Sequence, residues 1–331
     1  MKPTYKSNTV LKLNTETEPV VSGRQKLKVA PSHSSTASDG SSSDSGDPKF
    51  NPWDKIGITW FIVCHILALF AFAHFSWANV AALAIMYFVT ECLGITLGFH
   101  RLMSHRSFKT HKWVERTLAT FGVLTVQRSP LEWVAHHRVH HAFSDQEQDP
   151  HNSRRGFWWS HILWILKSDE RLDEYNALKP YARDIANDWY MNLLFSKWSH
   201  TGLQVAMGMI LLAIGGWGMV FWGIFLRLVL GYHFTFFINS VSHKFGYRTY
   251  ETGDDSRNCW WAAIVTFGEG WHNNHHKFQS IARAGHQWWE VDVTMMVIRL
   301  MEFTGLAWDV KDKPDHELIE AANTYKASKV N

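Results

Sequence analysis

Two stretches of this chain, residues 56–98 and 202–239, are almost free of charged side chains, and nothing else in the sequence restricts the fold as strongly. A helix needs about 20 consecutive apolar residues to cross the hydrocarbon of a bilayer. The first stretch predicts spans over 56–75 and 77–98, with almost no loop between them, and therefore a tight antiparallel hairpin. The second is interrupted at Gly215-Gly216-Trp217-Gly218, which predicts a shorter span over 202–217 and a fuller one over 219–239. Two hairpins return the chain to the same side each time. The N-terminus, residues 100–201 and everything after Asn239 are then expected on one face. The predicted fold class is an all-α integral membrane protein, with four transmembrane helices in two hairpins and a helical cap.

The flanking composition supports that layout. Residues 1–50 are rich in Ser, Thr and charge; such a segment buries too little apolar surface to offset its ordering entropy and reads as a disordered tail. It lacks the apolar core of a secretory signal, and Arg24, Lys26 and Lys28 ahead of the first span favour a cytosolic N-terminus and cap. The membrane is expected to be a bacterial inner membrane or the endoplasmic reticulum. Residues 113–126 and 156–166 are apolar and Trp-rich but too short to span, which suits helices at the membrane surface. Residues 288–308 show helical spacing, and 313–331 read as a C-terminal tail. A net charge of +3 without a basic block argues against nucleic-acid binding. Three cysteines without a CxxC pair fit a reducing compartment.

The chain contains 20 histidines, and their spacing is specific. His100 and His105 follow the second span. His137, His140 and His141 repeat an i, i+3, i+4 pattern that recurs in His272, His275 and His276, and this pattern puts three imidazoles on one helix face. Neutral imidazole is a frequent ligand for iron, zinc and copper. Eight clustered imidazoles exceed what one ion with open positions takes, so two metals are the economical count. Glu269 with His272 is the single Glu-x-x-His pair, which places Glu269 beside the ligands rather than among them. His65, His74 and His200 read as structural, and His136 points about 100° away from the box beside it. His111, His151 and His161 read as supporting or surface groups. Glu91 and Arg227 are charges inside spans, a costly placement that suggests a buried pair.

HRLMSH at 100–105, HRVHH at 137–141 and HNNHH at 272–276 resemble the histidine boxes of the membrane fatty acyl desaturases, closest to the delta-9, stearoyl-type group. The likeness extends to DPHNSRRGFWWSH at 149–161, NSVSHKFG at 239–246, GEGWHNNHH at 268–276 and GLAWDVK at 305–311. It covers about residues 50–312. The resemblance implies two iron ions held by His100, His105, His137, His140, His141, His272, His275 and His276, with His243 as a ninth ligand and Asn239 acting through a water. It implies an O₂-dependent reaction that places a cis double bond, delta-9, in a saturated C16 or C18 acyl chain. Gln127 and Trp133 match family positions near the bend of the acyl tunnel. His233 either lines the acyl path or bonds a neighbouring helix.

Arg154 and Arg155, in the DPHNSRRG run, are the candidate head-group contacts, and they weigh toward acyl-CoA as the carrier. The basic pair that CoA-using members carry later is replaced by Lys167-Ser168-Asp169-Glu170, so membrane lipid stays open beside CoA. The sequence contains no GxGxxG, four-Cys set or haem motif, so no flavin, NAD or haem is expected on this chain, and electrons must come from a separate donor of cytochrome b5, ferredoxin or rubredoxin type. A membrane di-iron hydroxylase or monooxygenase and, from another class, a His-rich metal transporter are the rival readings. Transport sites lie near the bilayer midplane, whereas these boxes follow the spans.

Overall fold

The computed structural model describes residues 53–169, 172–313 and 315–328. The expected tail of residues 1–50, with Arg24, Lys26 and Lys28, lies outside them. Helix α1 is Lys55–Ala73, opened by Asp54, whose carboxylate accepts from Ile56 N and Gly57 N. Only residues 74–76 separate it from α2, Trp77–Ser104, where the Ser76 side chain accepts from Asn79 N. Lys112–Val123 (α3) and Pro130–Phe143 (α4) follow. Ser129 and Glu132 form a reciprocal capping box at the start of α4, with Pro130 in its first turn, which satisfies donors that a helix N-terminus otherwise leaves open. A short helix α5, Trp159–Leu163, leads toward the long run α6, Lys197–Ser240. The remaining labelled helices are α7, His272–Lys277; α8, Val293–Phe303; and α9, Asp315–Ser328.

Three helices among the described residues are long and apolar enough to cross a membrane: α1, α2 and α6. The last is 44 residues long and is not continuous. Gly215 and Gly216 leave helical geometry, Gly216 with φ of 70°, a conformation that glycine adopts without steric cost. Residues on either side of the break pack together: a Cβ on Gly223 would stand 2.9 Å from Leu211 Cδ1. The second helix also runs past its expected end at 98, so His100 lies within it.

From Phe88 to Ser104, α2 is wound as a π-helix. α3 lies along this part, where a Cβ on Gly94 would meet Gly122 N at 2.4 Å. The expected surface segments 113–126 and 156–166 thus become α3 and α5, each with an exposed tryptophan at its start, Trp113 and Trp158. Two expectations need correction. The fold is not purely helical, because Lys109–Thr110 (β1) pairs antiparallel with Ala307–Trp308 (β2). The 288–308 helix is shorter, because Asp292 caps it at Met295 N and Gly305, with φ of 74°, ends the following turn. Most of the 313–331 segment is the helix α9, which buries Leu318 and Ala322.

Glu91 and Arg227 are both buried, but no ion pair joins them among the described residues. Glu91 accepts from Gln127, and Arg227 donates to the carbonyls of Leu124 and Gly223. Both charges reach the loop between α3 and α4 instead, Glu91 through Gln127 and Arg227 through the Leu124 carbonyl, while Arg227 Nη2 is buried without a partner. His233 is not left facing an open path: its ring bonds His65 and His161 at 3.0 and 3.1 Å.

Candidate metal centre

The first histidine box depends on the π winding of α2. In an α-helix, residues five apart point about 140° away from each other. Here His105 N donates to His100 O at 3.2 Å, an i to i+5 bond, and the two ring centroids are 4.8 Å apart. Such widened turns are rare and recur at functional sites. The second box lies on α4 and the third on α7, which begins at His272 itself. His243 comes from the turn that ends α6.

These nine imidazoles converge on two foci. His100, His105, His137, His141 and His275 bring their ring nitrogens within 4.8 Å of one another, and so do His140, His243, His272 and His276. Asn239 lines an adjoining cavity of about 60 Å³ together with Gln127, Trp133, His137, His151 and Thr235. The Trp133 indole stacks on His137 with centroids 4.9 Å apart. Arg154 is bound to both carboxylate oxygens of Asp255 at 2.7 and 3.1 Å, and Arg155 lies 3.6 Å over the Trp159 ring. A larger groove of about 450 Å³, between Phe108, Lys109, Trp308 and Lys311, touches none of the nine histidines.

Hydrogen-bond chemistry tests whether the foci suit a cation. His140 Nδ1 lies 2.9 Å from Asp149, His243 Nδ1 2.9 Å from Asp145 and His276 Nδ1 2.8 Å from Asp254. Each of those nitrogens therefore carries the proton, which leaves Nε2 as a bare lone pair. Yet His140 Nε2 faces His276 Nε2 at 3.3 Å, and His243 Nε2 faces His272 Nε2 at 3.0 Å. His140 and His276 thus meet as two acceptors, which gain nothing head-on, whereas a positive ion between them satisfies both. The same Nε2-to-Nε2 approach recurs at the other focus, His105 to His137 at 2.7 Å, His100 to His275 at 3.1 Å and His141 to His275 at 2.9 Å. Carboxylates behind imidazoles are the usual support of metal-bound histidine. Glu269 takes that place behind His100, with Oε2 2.6 Å from Nδ1, while its other oxygen holds Arg101 at 3.0 Å.

The electrostatics favour the ligand form. Burial, followed by the neighbouring imidazoles, holds His105, His137, His140, His141, His272 and His275 well below the ordinary histidine pKa. Neutral imidazole is the state that binds metal. Burial also lowers His243, but the Asp145 hydrogen bond and charge outweigh it and leave this ring above its usual value. Burial presses Asp145 and Asp254 upward, yet their histidine partners hold both well below the usual carboxylate range. His151, pushed down to about 3 by burial and by His140, packs beside His140 with ring centroids 4.2 Å apart.

The spacing of the histidine boxes anticipates eight of the nine imidazoles, and the NSVSH run the ninth. It does not reveal Asp145, Asp149 and Asp254. Two of them follow the second box closely, and that acidic pair was the available signal. Asp254 lies in a loop with no pattern of its own.

Six buried and three half-buried imidazoles, gathered into two foci beside long apolar helices, are compatible with a site for two metal ions. The chain belongs to the fatty acid desaturase family, whose family model matches residues 75–291, and it is an acyl desaturase. It is 49% identical to the sn-1 stearoyl-lipid 9-desaturase of Anabaena variabilis over 258 residues, 77% of this chain and 93% of the relative. It is 44% identical to the sn-2 palmitoyl-lipid 9-desaturase of Nostoc sp. (strain 36) over 267 residues, 78% and 90% of the two chains. The icosanoyl-CoA 5-desaturase of Limnanthes douglasii is 42% identical over 264 residues, 80% and 74% of the two.

Proposed function

We propose that this chain introduces a cis delta-9 double bond into a saturated C16 or C18 acyl chain held in a membrane lipid. The observation that carries the proposal is the convergence of nine imidazoles on two foci. The two ions are proposed to be iron, with His100, His105, His137, His141 and His275 at one and His140, His243, His272 and His276 at the other. Asn239 is proposed to contribute through a water. Bound iron supplies an oxidant that no side-chain acid or base can match, with O₂ and two electrons and two protons taking up the two substrate hydrogens as water.

The protein's part is orientation. Gln127 and Trp133, proposed to line the acyl path, form walls of the cavity beside His137 and hold a pair of methylenes near the foci while excluding bulk water. Electrons are proposed to come from a separate donor of cytochrome b5, ferredoxin or rubredoxin type. The packing of Leu211 on Gly223 across the glycine break supports four crossings in two hairpins, with the histidines on the cytosolic face of a bacterial inner membrane or the endoplasmic reticulum.

Lipid is preferred to CoA as carrier because the relatives with the highest identities above are named for lipid substrates. Arg154 and Arg155 remain the proposed contacts for the lipid head group. Expression in a host lacking its own desaturase, with fatty-acid profiling and bond location, tests the function. His140→Ala and His275→Ala should remove the product while the protein still inserts; a hydroxylated product instead would favour the hydroxylase reading. Pulse labelling tests the carrier, and label that desaturates first as acyl-CoA would reverse the lipid assignment.

A further inference from the structure

The loop between α3 and α4 is held in a conformation that its residues do not favour. Val126 has φ of 54° and Arg128 φ of 83°, and a β-branched residue there is a steric outlier. Backbone strain of this kind persists only where the surroundings over-determine it, and it clusters at functional sites. Between the two strained residues stands Gln127, 4% exposed, whose side chain faces the cavity beside His137 and Asn239.

The groups that hold this loop are the two charges buried inside candidate membrane spans. Gln127 Nε2 donates to Glu91 Oε2 at 3.2 Å and lies 3.4 Å from Oε1. Arg227 Nη1 donates to Leu124 O at 2.8 Å, and Gln204 Nε2 donates to the same carbonyl. Gly231 makes room for the Glu91 carboxylate: a Cβ there would lie 2.2 Å from Oε1. Thr235, one turn further on, also lines the cavity. Charges inside a membrane are expensive and mark functional positions. A span needs neither of them for burial, and although their charges attract, no ion pair joins them.

We infer that Glu91 and Arg227 clamp the strained 124–128 loop so that Gln127 fixes the position of the acyl chain, which makes Glu91 a positioning residue for the site of unsaturation. The inference rests on the desaturase reading and on Gln127 lining the acyl path. Each methylene advances an extended chain by about 1.25 Å, and misplacement by about 1 Å is enough to change which bond reacts. Glu91 sets that register without touching substrate.

The test is the double-bond position of the product, which a fold-only role would not move. Full-length wild type, Glu91→Asp and Glu91→Gln are expressed in a desaturase-deficient host, and bond location is read by mass spectrometry of derivatised fatty acids. Glu91→Asp keeps the charge but withdraws the carboxylate from Gln127; the share of product with its bond moved by one or more carbons should rise at least about five-fold. Glu91→Gln, whose amide oxygen still accepts from Gln127, should keep the wild-type position. If Glu91→Asp accumulates too poorly to assay, Gln127→Met must show the same shift, because it removes the presented side chain and leaves Glu91 and Arg227 in place. An unchanged bond position in Glu91→Asp and Gln127→Met, whatever their yield, overturns the positioning role. A wild-type chain that makes no olefin overturns the desaturase reading instead, a separate outcome of the same assay.

Discussion

Arg138 is next to His137 in the second box but has a different task. Its guanidinium donates to both oxygens of Asp184 at 2.7 and 2.9 Å, to Ser104 O at 3.1 Å and to Met103 O at 2.8 Å. Arg106 reaches the same carboxylate at 2.7 Å and Glu115 at 3.1 Å. Asp184 thus ties the end of the first box to the helix of the second. Burial alone would raise its pKa, but the hydrogen bonds and charges of Arg138 and then Arg106 hold it well below the usual range. Such a carboxylate adds stability above the ordinary aspartate value, about 3.9, and loses it as pH falls through that value toward the lower folded one. Asp184 is more than a third exposed, so solvent screening limits its worth. Asp184→Asn should lower stability by about 1 kcal/mol at neutral pH, and the gap should shrink below about pH 4. Thermal melts in detergent at both pH values check this, and a gap that does not change with pH would exclude the charge as its source. The histidines were legible because local spacing exposes them. Among their supporting carboxylates only Glu269, in the Glu-x-x-His pair, was; the others were not, because His243 and Asp145 are 98 residues apart and His276 and Asp254 are 22 apart.

The elements show the same division between local and long-range information. Apolar length located α1 and α2, and the glycine cluster located the break in α6. The π winding of Phe88–Ser104 left no mark in the hydropathy, because widening a helical turn changes which residues share a face and not how apolar they are. Its cause lies in packing: α3 presses on α2 at Gly94 and Gly122, where a Cβ on Gly122 would come within 2.5 Å of the Phe99 ring. The small residue lets the aromatic one fill the interface just before His100. Gly122→Ala should therefore cost about 1–3 kcal/mol through overpacking and lower the melting temperature. Gly202→Ala, inside a helix where nothing lies within 4 Å, should leave it unchanged or raise it slightly. If the two variants melt alike, the close approach of α3 to α2 is not what sets this interface. The short β1–β2 pair was equally invisible, since two residues of extended chain carry no periodicity.

At the scale of the whole molecule, the two foci are unequal, and that inequality is measurable. His100, His105, His137, His141 and His275 form one set, drawn from all three boxes; the other set has His140, His243, His272 and His276. Neighbours within one HxxHH box are therefore divided between sites, His141 to one and His140 to the other, so the loss of a single imidazole affects mainly one ion. Removing one ligand from the larger set leaves four, the number that closes a tetrahedral site. Removing one from the smaller set leaves three imidazoles, one short of that number. His272→Ala should therefore fall toward one metal per chain after loading and desalting, while His141→Ala stays closer to two. Elemental analysis against protein concentration measures this without any turnover, so it is independent of the electron donor and of the carrier. Equal depletion by both variants would mean that the nine imidazoles act as a single shared cluster. Complete loss of metal from either variant would mean that occupancy of one focus depends on the other, a coupling that the carboxylates behind His100, His140, His243 and His276 would then have to transmit.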